Sequence, residues 1–572
     1  MEDPTVQPTN PEPPRKSRVS RREFLKGAAT VVVGSVVAAC APQAAAPTQA
    51  PAQAPTQAPA AQKPAEQPKA AATTAPAAKA SPKSGGKLTW AIEQDPTNLI
   101  PFGAIATANQ WGKEFMYDSL VEWDKDLKVQ PALAEKWETP DDRTWIWTLR
   151  KGVKFHNGDE VTAEDVKYSI ELQANPPAPG IKIAQYPAIE SVEVVDKYTA
   201  KFKMKGPDPT VLGYLAWSRY SPIVPKGAYD KWKLQTEGIG TGPFKLVEYV
   251  PNDRVVYTRN KDFWKPGLPY LDDLLLKVLP DEAARVAALR SGQIDGCTIT
   301  PDTARTLRND PNIVVLKGLV SRPSQLQFTI KGDGKPWNKK EVRQAMNKAI
   351  NRQEIIDKVF AGEAVLSGPI PPGYGDWFIP AEELAAKWYK PDLDEAKKLM
   401  AAAGFANGFE ITLYSISQPP TTTQIAEIVK EQLKKIGIEV KVVSEEIGSF
   451  AKRNGEGTFD FCSTQRGMRH DPTGFINEYG RPSVGAASVW FNKGDGWSNK
   501  EASDLYDKAL VNLDQASRHQ QIRRIQEIAL EELPHITTVQ DYKFHAIRKR
   551  VQDMYVAFND FHTGLRLAWL DA

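Results

Sequence analysis

The sequence predicts an α/β protein of two or three domains that follow an N-terminal export signal. Its 572 residues are more than one hydrophobic core accommodates. Apolar residues make up 41% and charged residues 25% of the chain, which is ordinary for a folded globular protein. In the C-terminal half, two strand-like segments enclose a helix-like segment. That order is typical of mixed or parallel sheets with helices on their faces.

The N-terminal segment has the form of an export signal. Arg21 and Arg22 precede a 13-residue apolar run at 27–39, the length of a signal-peptide core, whereas a membrane-spanning helix needs about 20 residues. The arginine pair resembles a twin-arginine signal, and the residues up to Cys40 resemble a lipobox. We therefore predict that 1–40 is a signal peptide and that Cys40 is lipidated on the outer face of a bacterial cell membrane, periplasmic or at the cell surface. The alternative is a short buried helix.

Residues 41–85 have the composition of a disordered tether. They are mostly Ala, Pro, Gln, Thr and Lys and contain no aromatic or large aliphatic residue, so they cannot bury a core. Such a segment spans roughly 40 Å as a flexible coil and up to about 130 Å when extended. We interpret it as a tether that keeps a globular body near the membrane; the alternative is a terminus without function.

The charge and cysteine content exclude two classes of protein. The formal charge is +3, and residues 1–40 hold six basic and four acidic residues, so the remainder carries about +1. A nucleic-acid-binding protein usually has a large basic excess, so no nucleic-acid partner is expected. The three cysteines, Cys40, Cys297 and Cys462, do not form a disulfide framework. Whether Cys297 and Cys462 pair stays open.

The first half of the folded region shows alternating strand and helix signals. A strand is predicted at 85–92, a helix at 109–120 and a short strand at 120–123. Residues 144–149 alternate like a strand with one buried face. Residues 162–165 fit a capping box, which predicts the start of a helix.

The second half begins with two helix signals. A helix is predicted from Asp281 to Arg290, ended by Gly292. A second helix is predicted to be capped by Asn338 with Glu341 three residues later. Its apolar positions have helical spacing and indicate a core face, and they are Val342, Ala345, Met346, Ala349 and Ile350.

A βαβ unit follows and indicates where a ligand would bind. Strands are predicted at 409–415 and 438–443 around a helix at 423–435, and a further strand at 459–463. In sheets of this kind, ligands bind beyond the carboxyl ends of the strands. The loop after Ser463 is therefore the predicted site.

Several sequence blocks, in order, resemble the family 5 extracellular solute-binding proteins of ABC importers, which bind oligopeptides, dipeptides or nickel. The resemblance covers roughly 86–560. It is carried by PALAEKWE at 131–138, LRKGVKFHNG at 149–158, TAEDV at 162–166, GTGPFKL at 240–246, RNKDFW at 259–264, AALRSGQID at 287–295, VRQAMNKAINR at 342–352 and QLKKIGI at 432–438.

The resemblance implies a two-lobed, periplasmic-binding-protein-like α/β fold with an extra subdomain. Its lobes would carry mixed sheets with flanking helices. Lobe I would comprise 86–330 together with 535–572, with the subdomain at about 123–239, and lobe II would comprise 331–534. By the same resemblance, the lobes close on a ligand by hinge bending and the closed form docks on a permease.

The sequence contains no strong catalytic motif. The phosphate-binding G-x-x-x-x-G-K-[ST], the nucleophile elbow G-x-S-x-G and the zinc motif H-E-x-x-H are all missing. His535 and His545 lie near each other without a ligand-like spacing. We therefore expect no enzymatic activity, no metal and no cofactor.

The loop after the last predicted strand departs from the peptide-binding pattern. In peptide-binding relatives, an aspartate four residues before the loop proline holds the free amino group of the peptide; here that position is Met468. A buried ammonium without its anion costs several kcal/mol. Arg466 and Arg469 flank Met468 and favour a carboxylate or another anion. The alternative is that both arginines face solvent or bridge the lobes.

Further ligand contacts are predicted outside the two arginines. Gln465, Gly467 and Met468 belong to the same loop. Trp490 is the leading aromatic candidate because it follows this loop in the chain. The resemblance places Glu93 and Gln94 at the cleft from the other lobe, and Gln540 on the strand returning near the C-terminus.

The expected function is that of a lipid-anchored substrate-binding protein that captures a peptide and delivers it to ABC permease and ATPase subunits. We expect it to be a monomer. A protein binding an oligosaccharide or another anionic or neutral solute is an alternative, as is a ligand sensor. An exported hydrolase is a further alternative, against which the missing nucleophile and base motifs argue.

Overall fold

Two long antiparallel strands, at 313–328 and 535–548, pair in the middle of the main sheet and connect its two halves into one continuous sheet. The structure is a computed structural model, and it describes residues 81–102, 107–174, 188–417, 420–484, 487–491, 496–559 and 562–571. These residues belong to one compact unit, Lys79–Ala572. The predicted signal peptide, Cys40 and nearly all of the predicted tether lie outside the described residues. Within the described part, no helix has the length and apolar character needed to cross a bilayer.

The strands are numbered in chain order. They are β1 (Lys87–Ile92), β2 (Val121–Trp123), β3 (Val129–Pro131), β4 (Ala134–Asp141), β5 (Thr144–Leu149), β6 (Ile189–Asp196), β7 (Thr199–Met204), β8 (Phe244–Val250), β9 (Arg254–Arg259), β10 (Asp273–Val278), β11 (Gly296–Ile299), β12 (Ile313–Phe328), β13 (Ala364–Leu366), β14 (Phe409–Ile416), β15 (Ile438–Glu445), β16 (Phe461–Gln465), β17 (His535–Arg548), β18 (Val551–Gln552) and β19 (Trp569–Leu570).

The α-helices are numbered in the same way. They are α1 (Thr107–Lys113), α2 (Ala163–Ala174), α3 (Val211–Leu215), α4 (Ala228–Lys231), α5 (Glu282–Ser291), α6 (Pro301–Leu307), α7 (Lys340–Ala349), α8 (Arg352–Phe360), α9 (Ala381–Glu383), α10 (Leu393–Ala402), α11 (Thr421–Lys434), α12 (Ile447–Glu456), α13 (Thr473–Gly480), α14 (Ala487–Trp490), α15 (Lys500–Ala509) and α16 (Gln515–Glu532).

The main sheet is mixed, as the sequence predicts. Its order is β15-β14-β16-β12-β17-β11-β1-β10-β9-β8, with β13 paired to β17. β14 runs parallel to β15, and β1 runs parallel to β10 and β11, whereas β12 and β17 are antiparallel. The register of β12 against β17 shifts between Leu319 and Pro323 and again before Gln325. This irregularity lies halfway along the longest strand pair of the sheet.

A separate antiparallel sheet, β4-β5-β7-β6, forms a small subdomain with its own core. Trp147 and Phe202 are fully buried there, together with Ile170 of α2 and Tyr214 of α3. We call this part, whose core runs from Leu120 to Ile223, the small-sheet subdomain. The predicted boundaries of the lobes and the subdomain stay predictions.

Local signals predicted several elements correctly. Asp281 caps α5 by accepting the amide of Ala284, and Gly292 ends that helix in the left-handed region. Asp165 accepts both the amide and the hydroxyl of Thr162 at 2.8 Å, which confirms the start of α2. β14, α11 and β15 form the predicted βαβ unit. The predicted apolar face of α7 is buried.

Two helix predictions need correction. The helix predicted at 109–120 ends at Lys113, and the one predicted to start after Asn338 begins at Lys340 without a side-chain cap. The Asn338 amide instead donates to Asp333 at 2.9 Å. The cysteines left open by the sequence are free and buried, since Cys297 lies in β11 and Cys462 in β16.

The early end of α1 has a tertiary cause. The amides of Gly242 and Phe244 donate to the carbonyls of Met116 and Phe115 at 2.9 and 3.2 Å, so these carbonyls are held by a distant turn. A Cβ at Gly242 would lie 2.4 Å from the Phe115 oxygen. Glycine is therefore required where the GTGPF turn meets this segment.

Gly242→Ala is expected to lower the free energy of unfolding by about 2–3 kcal/mol, because the added methyl group overlaps a backbone that is itself held in place. Chemical denaturation checks this value. Gly206→Ala is the matched control, since nothing lies within 4 Å of a Cβ there. Equal losses in the two variants would contradict the explanation.

Candidate functional site

The predicted site loop follows β16 and precedes α13. We define the site loop as residues 466–472. It leaves the carboxyl end of β16, which is parallel to β14 and antiparallel to β12. The Arg466 amide donates to the carbonyl of Pro323 at 3.0 Å, and Pro323 lies at the register shift of β12. The site loop therefore starts beside the irregular middle of the long strand pair.

Arg466 is paired inside the protein. Its guanidinium donates to the carboxylate of Glu478 on α13, and the two side chains are only 12% and 2% exposed. Gln325 also donates to Glu478, at 3.3 Å. Burial raises the pKa of Glu478, but the opposing effects of Arg466 and His535 are larger. The pKa of Glu478 is therefore below its ordinary value. Arg466 is thus neutralised by a carboxylate that the sequence analysis did not identify.

Arg469 differs from Arg466 because its described hydrogen-bond partners are carbonyl groups, and its guanidinium also lies over the ring of Phe475 at 6.0 Å. Its guanidinium donates to Gly474 at 3.3 Å, to Met468 at 3.4 Å and to Gly467 at 3.5 Å. Among the ion pairs of the described residues, none involves Arg469. Burial and the neighbouring Arg466 lower the pKa of this guanidinium. These bonds are long, so Arg469 has unused capacity for an anionic partner.

The backbone of Arg469 is held firmly although its guanidinium is not. The hydroxyl of Tyr374 accepts the amide of Arg469 at 3.0 Å and donates to its carbonyl at 2.8 Å. A Cβ at Gly474 would lie 2.9 Å from the Cβ of Arg469, so the stem of Arg469 packs directly on that glycine. Tyr374 and Gly474 therefore fix where the guanidinium starts.

A buried ion pair fixes the end of the site loop. Asp471 accepts from Arg518 of α16 at 2.6 Å, and these side chains are 9% and 5% exposed. Asp471 also accepts the amide and hydroxyl of Thr473 at 2.9 and 2.5 Å. Burial raises the pKa of Asp471, but Arg518 and these hydrogen bonds lower it below its ordinary value. The loop is therefore rigidly held at both ends.

The site loop contacts the small-sheet subdomain through His470. The imidazole meets the rings of Tyr214 and Tyr220 edge-on, at centroid distances of 5.5 and 6.1 Å. Burial lowers the pKa of His470 to about 4, so the ring is neutral at pH 7. A Cβ at Gly213 would lie 2.3 Å from the His470 carbonyl oxygen. The backbones of the site loop and α3 are therefore in direct contact at this point, with no room for a side chain at position 213.

Gly213→Ala is expected to keep the site loop away from α3 and to weaken ligand binding about tenfold, since the closed contact cannot form without a shift of the backbone. Small-angle scattering with and without ligand checks the closure. Gly455→Ala, where a Cβ meets nothing within 4 Å, is the control. Unchanged closure in Gly213→Ala would contradict the role of this contact.

The other predicted loop residues surround these anchors. Gln465 accepts from Arg322 at 3.2 Å and donates to Ser324 at 3.4 Å, so it bridges β16 and β12. Gly467 is exposed, and Met468 is 6% exposed. Their contact with a ligand stays a prediction.

Glu93 and Gln94 follow directly after β1. Gln94 is exposed, and Glu93 is half-buried with one carboxylate oxygen that has no hydrogen-bond partner among the described residues. No described hydrogen bond joins either residue to the site loop. Their predicted place at the cleft therefore stays a prediction.

Gln540 and Trp490 are buried. Gln540 lies opposite Pro323 at the register shift, donates to Pro372 at 3.1 Å, and has a carbonyl oxygen without a partner among the described residues. Trp490 donates to Asn454 at 3.0 Å and packs edge-on against His535 at 5.6 Å. These core contacts account for the burial of Trp490 without a ligand.

Glu478 and Tyr374, which hold the two arginines, are not among the residues predicted from the sequence. Glu478 is a lone carboxylate on the otherwise uncharged helix α13, and this is a signal that could have flagged it. Tyr374 lies far from the loop in the chain and has no comparable signal. No cluster of three or more metal-ligating side chains occurs among the described residues.

The fold and the site together define a class. A loop with charged side chains that closes against a separately folded part is the arrangement of a two-lobed binding protein, which takes its ligand between its halves. The sequence profile described as "Bacterial extracellular solute-binding proteins, family 5 Middle" matches residues 128–486. The chain belongs to this family, which confirms the resemblance found in its sequence blocks, so it is a solute-binding protein of the ABC importer type.

Known proteins similar to this chain align with it over most of their length and most of its own. The glutathione-binding protein GsiB of Escherichia coli is 28% identical over 486 residues, which is 82% of this chain and 91% of GsiB. The structure of DppA from Helicobacter pylori with the peptide STSA has a TM-score of 0.72 and 27% identity, covering 86% of this chain and 99% of DppA. AgaA from A. tumefaciens with agropinic acid has a TM-score of 0.70 and 27% identity, covering 85% and 99%.

These similarities confirm the predicted fold class, a two-lobed periplasmic-binding-protein fold with mixed sheets. The proteins of this family are extracytoplasmic, which agrees with the prediction that the chain lies outside the cytoplasm. The matched relatives are binding proteins, which supports a role without catalysis.

Proposed function

We propose that this chain is the lipid-anchored substrate-binding protein of an ABC importer for a peptide-like solute that carries an anionic group. The solute binds between the lobes, beside the site loop, and the closed protein delivers it to a membrane permease. ATP hydrolysis belongs to partner subunits, and the binding protein works as a monomer.

The observation that carries the anionic part of this proposal is the state of Arg469. A half-buried guanidinium that rests on long bonds to carbonyls gains most from a bidentate carboxylate. Arg466 offers less, since Glu478 already neutralises it. Both arginines are candidate anchors by sequence, but only Arg469 keeps that role in the proposal.

The peptide-like part rests on the relatives. Proteins similar to this chain bind glutathione, the peptide STSA and agropinic acid. Met468 stands where peptide-binding relatives have an aspartate for the amine, so a free peptide amine would have to find its anion elsewhere. A non-peptide organic acid is the second candidate, favoured by the AgaA complex and by Arg469.

Mass spectrometry of the solute that co-purifies with the folded protein tests the proposal. We expect a small peptide or peptide-like acid with at least one carboxylate, at about one molecule per chain. A neutral sugar or a cationic solute would contradict it. A peptide whose free amine lies beside Met468, with no acid near it, would refute the electrostatic argument.

The membrane anchor has its own test. In cells that process lipoproteins, Cys40→Ser is expected to move the protein from the membrane fraction to the soluble extracytoplasmic fraction, because a single lipid-modified residue supplies the attachment. Fractionation followed by immunoblotting measures the shift. Cys297→Ser, at a buried thiol of β11, is the control. Retention of Cys40→Ser in the membrane fraction would contradict the lipoprotein prediction.

A further inference from the structure

The site loop and the small-sheet subdomain meet around one imidazole. His470 is 9% exposed, and its ring lies edge-on to the rings of Tyr214 and Tyr220, which belong to the small-sheet subdomain. Its carbonyl oxygen lies against Gly213 of α3. The imidazole is therefore buried by the contact between two separate parts of the protein, and parting them brings the ring into water.

The buried imidazole has no acceptor for an additional proton. Nδ1 of His470 is buried, and no group in the described part of the chain forms a hydrogen bond with it. A protonated imidazole carries a hydrogen on both ring nitrogens. Protonation would therefore add a charge to a ring that is shielded from water and has an unsatisfied nitrogen, which is unfavourable.

The two nearest carboxylates are already engaged. Asp471 is paired with Arg518, and Asp208 accepts the amide and the hydroxyl of Thr210 at 2.9 and 2.7 Å. Both aspartates favour a charged imidazole through space. Over the residues that the structure describes, however, neither forms a hydrogen bond or an ion pair with His470, so neither compensates directly for its burial.

The cations around the imidazole act against a positive charge. Arg469 and Arg518 both disfavour the protonated ring. The face of a tyrosine ring can attract a cation, but the guanidinium of Arg219 already lies over Tyr220 at 5.7 Å. Burial has the largest effect and, together with the two arginines, outweighs the aspartates, so the pKa of His470 falls from 6.5 to about 4.

We infer that His470 makes closure of this protein sensitive to pH. The site loop packs against α3 only while the imidazole is neutral, so acidification opens this contact and releases the solute. The inference deepens the proposed function and rests on it, because it concerns a solute held beside the site loop.

The direction of the effect follows from linkage. When the site loop leaves α3, the imidazole reaches water and its pKa returns to about 6.5, whereas in the closed contact it is about 4. A group whose pKa is lower in the closed form favours closure above the pKa of the open form and opposes it as the pH falls. Closure is therefore favoured at pH 7.5, is weakened about tenfold at pH 5.5, and is lost progressively down to about pH 4.

NMR titration of the histidine rings tests the inference without identifying the solute. The chain has six histidines, and His470→Gln identifies the signal of His470. In the unmodified protein as purified we expect this ring to titrate below about pH 5. In Gly213→Ala, which keeps the site loop away from α3, it should titrate near about pH 6.5, whereas the control Gly455→Ala should resemble the unmodified protein.

Two outcomes of this titration would overturn the inference. One is titration of His470 near pH 6.5 in the unmodified protein, and the other is an unchanged low value in Gly213→Ala. A co-purified solute without an anionic group would contradict the proposed function and leave this titration unaffected, so the two failures are distinguishable.

Calorimetric titration of the co-purified solute into stripped protein measures the consequence for binding. The unmodified protein should bind this solute about tenfold more weakly at pH 5.5 than at pH 7.5, whereas His470→Gln should bind it equally at both. His519→Gln is the control, since the His519 ring bonds to the carbonyl of Asp376, and it should keep the tenfold difference. Equal affinity of the unmodified protein at both pH values, or an undiminished difference in His470→Gln, would overturn the inference.

Discussion

Arg469→Ala is expected to weaken solute binding by about 100-fold or more. Truncating one partner of a buried, hydrogen-bonded charge pair costs about 2–5 kcal/mol, because the other charge is left without its partner. The affinity of Arg469→Lys for the solute should lie between those of Arg469→Ala and the unmodified protein, since lysine keeps the charge but loses the planar guanidinium. Calorimetric titration of the co-purified solute into stripped protein measures the difference.

The control for this experiment is Arg481→Ala. Arg481 is 49% exposed and pairs with Asp507 on the surface, so its loss should leave the affinity unchanged. If Arg469→Ala and Arg481→Ala bind the solute equally well, Arg469 is not an anchor and the anionic part of the proposal is wrong.

Arg466→Met is expected to lower the free energy of unfolding by about 3–5 kcal/mol, because it leaves the carboxylate of Glu478 buried without its cation. In the variant the pKa of Glu478 rises above its ordinary value, so the folded state then binds the proton more tightly than the unfolded state. The loss should therefore be largest at neutral pH and shrink as the pH falls towards 4. Denaturation curves at several pH values measure it.

Two controls separate pairing from packing in this experiment. The double variant with Arg466→Met and Glu478→Leu removes both charges and should recover most of the loss. Arg524→Met removes surface pairs with Glu501, Glu527 and Glu531 and should cost less than about 1 kcal/mol. A loss in Arg466→Met no larger than in Arg524→Met would show that the buried pair does not stabilise the loop.

Local chemistry made part of the fold predictable. Asp281 and Gly292 bound α5 because a cap and a left-handed residue act over one helical turn. The βαβ unit around α11 was predictable because its hydrophobic periods are regular. The end of α1 was not predictable, since it depends on amides of Gly242 and Phe244 far along the chain.

The candidate site shows the same division. Chain order and strand direction placed the site loop after β16. The roles of the two arginines were not predictable from the sequence. Glu478 contacts Arg466 because α13 packs beside the site loop, and Tyr374 contacts Arg469 because the segment before α9 packs there. Trp490 was a reasonable aromatic candidate by position, yet its neighbours Asn454 and His535 place it in the core.

A crystal structure of the protein with its co-purified solute tests the central claim most directly. The account predicts a solute enclosed between the site loop and the other lobe, with a carboxylate or another anionic group within hydrogen-bond distance of the Arg469 guanidinium, while Arg466 stays paired with Glu478. A solute whose anionic group lies away from Arg469, or a solute without an anionic group, would contradict it.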